Sequence, residues 1–576
     1  MKKLLKYLKP YTKESIISPL FKLLEAIFDL LVPLVVKQII DRGIPSGDKS
    51  YIAGEFGKLI LLAVVGLLCA LVAQYYAARA AVGFSTGLRR DLFAHIQGFS
   101  YEQTDRIGTS TLITRMTADV NQLQSGVNMT LRLFLRSPII VFGAMTMAFI
   151  VSPKNAWVFV LIIPLLSVVV FSIMLGSIPL YRKVQKNLDN VTATTRETLT
   201  GVRVIRAFRK ENEEIERFSQ ANEAHNRAQL FVAKISALMN PLTLVLVNLG
   251  TVLLLWLGGL DVSVGNMTQG EVVAMTNYMA QILVELVKFA NTIFLVTKAL
   301  ACAKRVESVF EIPTGMKVEK NAKTNADSNL AVCFQNVSLT YTGNAEASLE
   351  GISFSARAGE TIGIIGSTGS GKTSVVNLIP RFYDATEGAI LLNGRDVRTY
   401  DTEELREKIA IVPQKAILFS GTVRSNLLWG NPAATDEELW DALERAQAKD
   451  FIAATEGGLD APVAQNGKNF SGGQRQRLTI ARALVRRAEV LILDDSSSAL
   501  DYATDAALRA GIRTLPYNPT VFIISQRTAS IRHADSILVL EDGQAVGFGK
   551  HDELLASCDV YREIYDSQFR KEGDCK

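Results

Sequence analysis

At 576 residues the chain exceeds what one hydrophobic core organises, so at least two domains are expected. Hydrophobic residues make up 48% and the mean hydropathy is positive, which is not the balance of an ordinary soluble enzyme. A net charge of +5, from 62 basic against 57 acidic residues, is too small and too dispersed for a nucleic-acid binder. The five cysteines (Cys69, Cys302, Cys333, Cys558 and Cys575) lie far apart without metal-type spacing and read as free thiols.

The start, MKKLLKYLKPY, has the basic character of a signal peptide. The apolar stretch behind it is too long, carries Glu25 and Asp29, and lacks a small-residue cleavage pattern. A short amphipathic helix lying on the membrane, then a retained spanning helix, is the expectation. Spans are predicted near 15–40, 57–82, 137–152, 155–178, 241–260 and 271–299, an all-α six-helix membrane domain over residues 1–303. A crossing takes roughly 20 apolar residues, so the third span needs residues before Pro138 to complete it.

Three connections are short: Asp41–Glu55, Ser152–Asn155 and Asp261–Gly270. The other two, 83–136 and 179–240, are long, polar and helix-rich. Arg89, Arg90, Arg106, Arg115, Arg132 and Arg136 lie in the first, and Arg182, Lys183, Arg203, Arg206 and Arg217 are among the cations of the second. Excess Lys and Arg marks the cytoplasmic side, which predicts a multi-pass protein of the plasma membrane with both termini in the cytoplasm. A polar linker without helical period follows at 304–329, and the remainder, 330–576, reads as soluble α/β.

That second domain opens its chemistry with GETIGIIGSTGSGKTSVVNLIP. An apolar, β-rich TIGII leads into Gly366, Ser367, Thr368, Gly369, Ser370, Gly371, Lys372 and Thr373, and then into a helical pattern beginning at Ser374. Strand, glycine loop and helix in that order are the context a phosphate-binding P-loop requires. Glycines let backbone N–H groups curl around phosphate oxygens, and the helix N-terminus adds partial positive charge. Lys372 is expected to reach the β- and γ-phosphates of ATP, with the Thr373 hydroxyl on Mg²⁺. Downstream, Val490–Asp495 is an apolar strand ending in acid, and Asp494 is placed to hold the metal shell. Between them Ser471-Gly472-Gly473-Gln474 opens a helix, a second ready-made phosphate site.

SGGQ set between a P-loop and an LILDD strand resembles the signature motif of ABC ATPases, and the resemblance covers the whole chain. It implies that Tyr341 stacks on adenine, that Gln414 in IVPQK is the Q-loop residue at the metal, and that Ser498-Ala499-Leu500-Asp501 is the D-loop. The stretch before Ser471 sits where exporters carry their X-loop. In the membrane half, FSYEQTDRIGTSTLITRMTADVNQL and ETLTGVRVIRAFRKENEEIERF resemble the two long cytoplasmic loops of type IV (B-family-like) exporters, which carry the coupling helices that touch the ATPase domains. The family architecture implies two such halves, with ATP held between one P-loop and the other half's signature. One copy of each motif is present here, so a dimer is expected.

Two positions depart from the family pattern. The acid after the Walker B aspartate, glutamate in a competent member, is Asp495, and the switch histidine expected in VFIISQR is Gln526. Shortening the acid by one C–C bond withdraws its carboxylate by about 1.5 Å, and general-base catalysis contributes roughly 10²–10⁴-fold. Glutamine hydrogen-bonds a phosphate but carries neither charge nor proton. With both changes at one γ-phosphate, the chain resembles the degenerate-site subunit of a bacterial heterodimeric multidrug-type exporter. The implied partner is a second ABC half-exporter whose strong site this chain's Ser471-Gly472-Gly473 completes.

The expected cargo is a hydrophobic or amphipathic molecule, drug- or lipid-like, crossing the bilayer. Glu25 and Asp29 share a face of the first span, while Gln281, Glu285 and Lys288 lie similarly on the sixth. Acids beside a pathway would suit amphipathic cations. Against this, Glu285 with Lys288, and Glu25 with Lys22, have the spacing of internal pairs. Rival expectations are a slow homodimeric exporter and an ATP-gated channel or regulator of the same family.

Overall fold

The computed structural model describes residues 3–316, 318–319, 330–343, 346–496 and 500–569. The chain divides into two compact units, Met1–Gln97 with Ser110–Ile312, and Gly98–Thr109 with Pro313–Lys576. The expected fold class holds: helices form the first unit, and sheets with helices form the second.

Among the described residues of the first unit, five helical runs are long and apolar enough to cross a membrane: Lys49–Gln97, Thr109–Val151, Trp157–Thr200, Glu211–Ser263 and Gln269–Phe310. The first long helix, Thr12–Gln38, is interrupted in hydropathy by Lys22, Glu25 and Asp29. The helices run well past the expected apolar spans. Lys49–Gln97 has 49 residues, which at 1.5 Å per residue is about 74 Å, more than twice a hydrocarbon core. Its buried stripe explains the length: Ala73, Ala77, Ala80, Phe84, Leu88 and Leu92 recur every three or four residues, on one face, beyond where hydropathy falls. The same holds at the end of the unit, where Cys302, Ala303, Val306 and Val309 stay buried. The helix therefore continues to Phe310, inside the expected linker 304–329.

The expected short helix at the N-terminus is present as Leu4–Tyr11. Leu4 and Tyr7 are buried within the unit, and the Tyr7 ring stands edge-on to Phe84 with centroids 6.3 Å apart. Part of its apolar surface is thus taken by protein, while Leu5 stays exposed. Close helix approach depends on small residues: a Cβ on Gly126 would meet that of Ala299 at 2.3 Å.

In the second unit a six-stranded sheet runs in the order Gln544–Gly549, Ser536–Glu541, Thr361–Gly366, Thr520–Ile524, Val490–Asp494, Ile409–Val412. Only the Gln544–Gly549 edge is antiparallel. A four-stranded antiparallel sheet packs on it through Phe334 and Phe354, stacked at 4.6 Å, with Phe354 edge-on to Phe522 at 6.4 Å. A helical part, including Asp436–Arg445 and Gly472–Val485, has its own apolar core around Leu439, Leu443, Leu478 and Ile480.

The short helix Tyr101–Ile107, from the first long connection, belongs to this second unit and not to the 1–303 domain in which the sequence placed it. A full capping box starts it: Ser100 Oγ accepts from the Gln103 amide, and the Gln103 side chain accepts from the Ser100 amide. Tyr101 stacks on Phe382 at 4.3 Å, Tyr383 Oη donates to Asp105 Oδ2 at 2.5 Å, and Gln103 Nε2 donates to the Pro313 carbonyl at 2.8 Å.

Candidate functional site

Four parallel strands deliver the candidate residues to one edge of the sheet, the C-terminal edge where open α/β sheets bind ligands. Thr361–Gly366 feeds the glycine loop, and Ile409–Val412 precedes Gln414. Val490–Asp494 ends in Asp494 and Asp495, while Thr520–Ile524 precedes Gln526. Register sets the last two side by side: Ile524 lies opposite Asp494, and the Asp495 amide donates to the Ile524 carbonyl at 3.1 Å.

The loop is tight because Gly366 has no side chain. A Cβ there would meet the Leu540 carbonyl oxygen at 2.1 Å and Ser370 Oγ at 2.5 Å. Lys372 is buried and turned inward, its Nζ donating to the Gly366 carbonyl at 2.9 Å and the Ser367 carbonyl at 2.5 Å. Burial pulls its ammonium below the ordinary lysine range, opposed by the charges of Asp495 and Asp494. Thr373 Oγ1 donates to Asp494 Oδ1 at 3.2 Å. Burial pushes the Asp494 carboxyl above its usual range, the Thr373 bond pulls it down, and the like charge of Asp495 raises it further.

A buried carboxylate beside a hydroxyl, with a second acid next to it, is a donor set for a hard cation. Among the described residues no group of three or more His, Cys, Asp or Glu could hold a metal by itself. Phosphate oxygens would therefore complete the shell of a Mg²⁺ held by Thr373, Asp494 and Gln414. When bound, the ion neutralises charge on those oxygens. Gln414 has a second engagement: its Nε2 donates to Asp495 Oδ2 at 3.2 Å.

Gly371, Lys372, Thr373 and Ser374 line one wall of an open pocket of about 940 Å³ whose other wall is Glu346, Ser348, Asp542 and Gly543. The second wall was not named from the sequence. Its signal was the Asp-Gly pair of EDGQ, which forms the two-residue hairpin turn with φ of 45° and 81°. Tyr341, expected on adenine, donates from Oη to Ser374 Oγ at 2.9 Å and stands edge-on to Tyr383 at 5.0 Å.

Ser471–Gln474 is not among the strand ends. It starts the helix Gly472–Val485 with a reciprocal capping box, Ser471 Oγ accepting from the Gln474 amide at 3.3 Å and the Gln474 side chain accepting from the Ser471 amide at 2.9 Å. Ser471 and Gly472 are exposed, and a Cβ on Gly472 would meet nothing within 4 Å. The helix N-terminus therefore points its free amides at open space. Asp501 caps the helix Tyr502–Arg513, its Oδ1 accepting from the Thr504 amide at 2.8 Å. The D-loop residues Ser498 and Ala499 lie outside the described residues.

In the membrane unit the acids that the sequence set beside a pathway are paired with cations. Lys22 Nζ donates to both Glu25 oxygens at 2.8 and 2.6 Å, and Lys288 Nζ donates to Glu285 Oε1 at 3.0 Å. Arg136, counted from the sequence among the cytoplasmic charges, is buried. It donates from Nη1 to Glu285 Oε1 at 2.5 Å and from Nη2 to Asp29 Oδ2 at 2.8 Å, joining three helices. Three acids thus face three cations.

Comparisons with known proteins agree with this construction. The profile of the ABC transporter transmembrane region matches residues 15–286, and that of the ABC transporter ATPase matches 349–498. An ABC transporter ATP-binding protein of Mycobacterium tuberculosis is 39% identical over 568 residues, 98% of this chain and 97% of the relative. YfiB of Bacillus subtilis, another ABC transporter ATP-binding protein, is 36% identical over 573 residues, 100% and 99% of the two chains. An ATP-dependent lipid A-core flippase of Desulfotalea psychrophila is 32% identical over 538 residues, 93% of each chain. The structure of a bacterial Atm1-family ABC exporter with ATP bound superposes with a TM-score of 0.81 at 23% identity, covering 98% of this chain and 99% of that one, a likeness of fold. A P-loop, an acidic strand and a signature helix joined to a helical membrane unit, with relatives matched end to end, place this chain in the ABC transporter family, on the exporter architecture.

Proposed function

We propose that this chain is one half of a heterodimeric exporter that moves hydrophobic or amphipathic small molecules across the plasma membrane, with both termini cytoplasmic. Its own P-loop binds ATP and Mg²⁺ tightly and turns over slowly, while its signature helix completes the partner's hydrolytic site. One observation carries this reading. Asp495 and Gln526, the two altered water-handling positions, follow adjacent strands in register, whereas the Ser471 capping box is intact. Neighbouring changes at one γ-phosphate compound, and an intact helix N-terminus still clamps an anion bound on another chain. A lipid-like cargo is favoured within this class, because relatives carry the name lipid A-core flippase and the intramembrane charges balance instead of selecting a cation.

The test is ATPase and transport in reconstituted membranes, with Ser471→Arg and Asp495→Asn each beside the unmodified pair. Ser471→Arg puts bulk and charge at the helix N-terminus and should abolish most turnover. Asp495→Asn should cost less than about three-fold, far below the 10²–10⁴-fold of a working general base. Equal damage from both, or transport by the purified chain alone, would replace the heterodimer with a slow homodimer.

A further inference from the structure

The side chain that holds the Gln526 backbone lies outside the ATPase motifs. The C-terminal helix Asp559–Phe569 ends beside the loop that follows Thr520–Ile524, and Gln568 in its last turn makes three hydrogen bonds to that loop. Its Nε2 donates to the Gln526 carbonyl at 2.7 Å. Its Oε1 accepts from the Thr528 amide at 2.9 Å and from Thr528 Oγ1 at 2.9 Å. Only a side-chain amide of this length can donate and accept in opposite directions at once; a carboxylate lacks the donor and alanine lacks both.

The short helix Thr528–Ile531, which follows this loop, is held from another side. Arg509 Nη1 donates to the Ala529 carbonyl at 3.1 Å, and Ser530 Oγ donates to Asp505 Oδ2 at 3.1 Å, both from the helix Tyr502–Arg513. Thr528 is fully buried, so the loop is anchored there. The Gln526 side chain is exposed and makes no hydrogen bond among the described residues. Its backbone is therefore fixed while its side chain is free for a ligand, the arrangement of a pre-positioned contact.

We propose that Gln568 is a positioning residue: it holds the Gln526 loop so that this side chain meets the γ-phosphate of ATP, making the end of the C-terminal helix part of the nucleotide sensor. This rests on reading Gln526 as the γ-phosphate contact. Hydrolysis is a poor probe if this site turns over slowly, so the readout is nucleotide preference. ADP lacks the γ-phosphate, and losing one hydrogen bond to it should change affinity by about five-fold.

The experiment uses full-length protein in membranes, with its partner chain where it has one. A photoreactive ATP analogue is cross-linked to this chain and competed by ATP or by ADP. Gln568→Ala should lower the preference for ATP over ADP about five-fold with ADP affinity unchanged. Gln568→Glu, which keeps the acceptors for Thr528 but loses the donor, should do nearly the same. In a Gln526→Ala background Gln568→Ala should add nothing, because the side chain it positions is gone. Amide hydrogen exchange across 526–530 should quicken in Gln568→Ala and stay unchanged in the P-loop helix.

Equal losses of ATP and ADP binding would mark general destabilisation and overturn the proposal. So would an unchanged preference in Gln568→Ala where Gln526→Ala lowers it, or a further loss in the double variant. If Gln526→Ala leaves the preference unchanged while exchange in Gln568→Ala quickens, the reading of Gln526 fails instead.

Discussion

Arg136→Met is the perturbation whose cost the structure specifies best. Methionine keeps the length of the stem and removes the guanidinium that joins Asp29, Glu285 and, at 3.6 Å, Glu25. The three acids do not lose equally. The Asp29 side chain, 45% exposed, is far less enclosed by protein than Glu285, so the larger share falls on Glu285. Glu285 is 5% exposed and, among the described residues, keeps Lys288 at 3.0 Å and Ser137 Oγ at 2.9 Å. Stranding a buried carboxylate by removing its partner costs roughly 3–5 kcal/mol, and the surviving Lys288 contact puts this case at the lower end. For a unit of this size that corresponds to a fall in melting temperature on the order of 5–10 °C. The assay is size-exclusion of the heated, detergent-solubilised protein with the transition followed by monomer loss. The double variant Arg136→Met with Glu285→Gln should recover much of the loss, since the uncompensated charge is gone. A fall of less than 2 °C in the single variant, or a double variant equal to the sum of its parts, would refute the idea that this arginine is the electrostatic centre of the bundle.

Tyr101→Ala removes the ring stacked on Phe382 and leaves the Ser100 capping box in place. A stacked pair is worth about 0.5–1.5 kcal/mol beyond its buried area, so transport should fall several-fold while basal ATPase changes less. Equal losses in both would argue against a coupling role for the helix Tyr101–Ile107. For orientation, single cysteines at Ser110 and Asn212, in a chain lacking its native cysteines, should resist an impermeant thiol reagent in intact cells, while one at Gly265 reacts. Comparable labelling at all three would reverse the topology.

The nucleotide site was legible where chemistry and local order coincide. The P-loop announces itself because its glycines, lysine and threonine are consecutive, and Thr361–Gly366 before them can only be a buried strand. The partners across the pocket, Ser348 and Asp542, come from segments far away in the chain, and no local pattern joins them to Lys372. Gln568 was missed for the same reason: a glutamine near the end of an amphipathic helix has no signature until the helix docks. Arg136 was misread by a rule that counts charge and ignores direction. It sits one residue before an expected span, and only packing reveals that it faces Glu285 and not the cytoplasm. Helices run past the expected spans, into the connections read as helix-rich, because hydropathy detects lipid contact whereas Leu88 and Leu92 are buried against protein.

On the proposed reading, the two departures from the family pattern at the candidate ATP site are of a kind the fold accommodates and the water-activating chemistry does not. Asp495 has φ of 44°, in the left-handed region where aspartate and asparagine are enriched among non-glycine residues. Its amide donates to the Ile524 carbonyl and one carboxylate oxygen accepts from Gln414, which fixes where the shorter side chain sits. Gln526 is likewise fixed at its carbonyl by Gln568. Both leave the P-loop hydrogen bonds, the Thr373–Asp494 contact and the signature cap in place. On that reading, a chain that keeps the groups for gripping ATP and alters those that would handle the attacking water gains from hydrolysis at another site. On the heterodimer reading the long-lived nucleotide here holds the two halves together, and the clamp at Ser471 lets this chain report on, and contribute to, turnover on its partner.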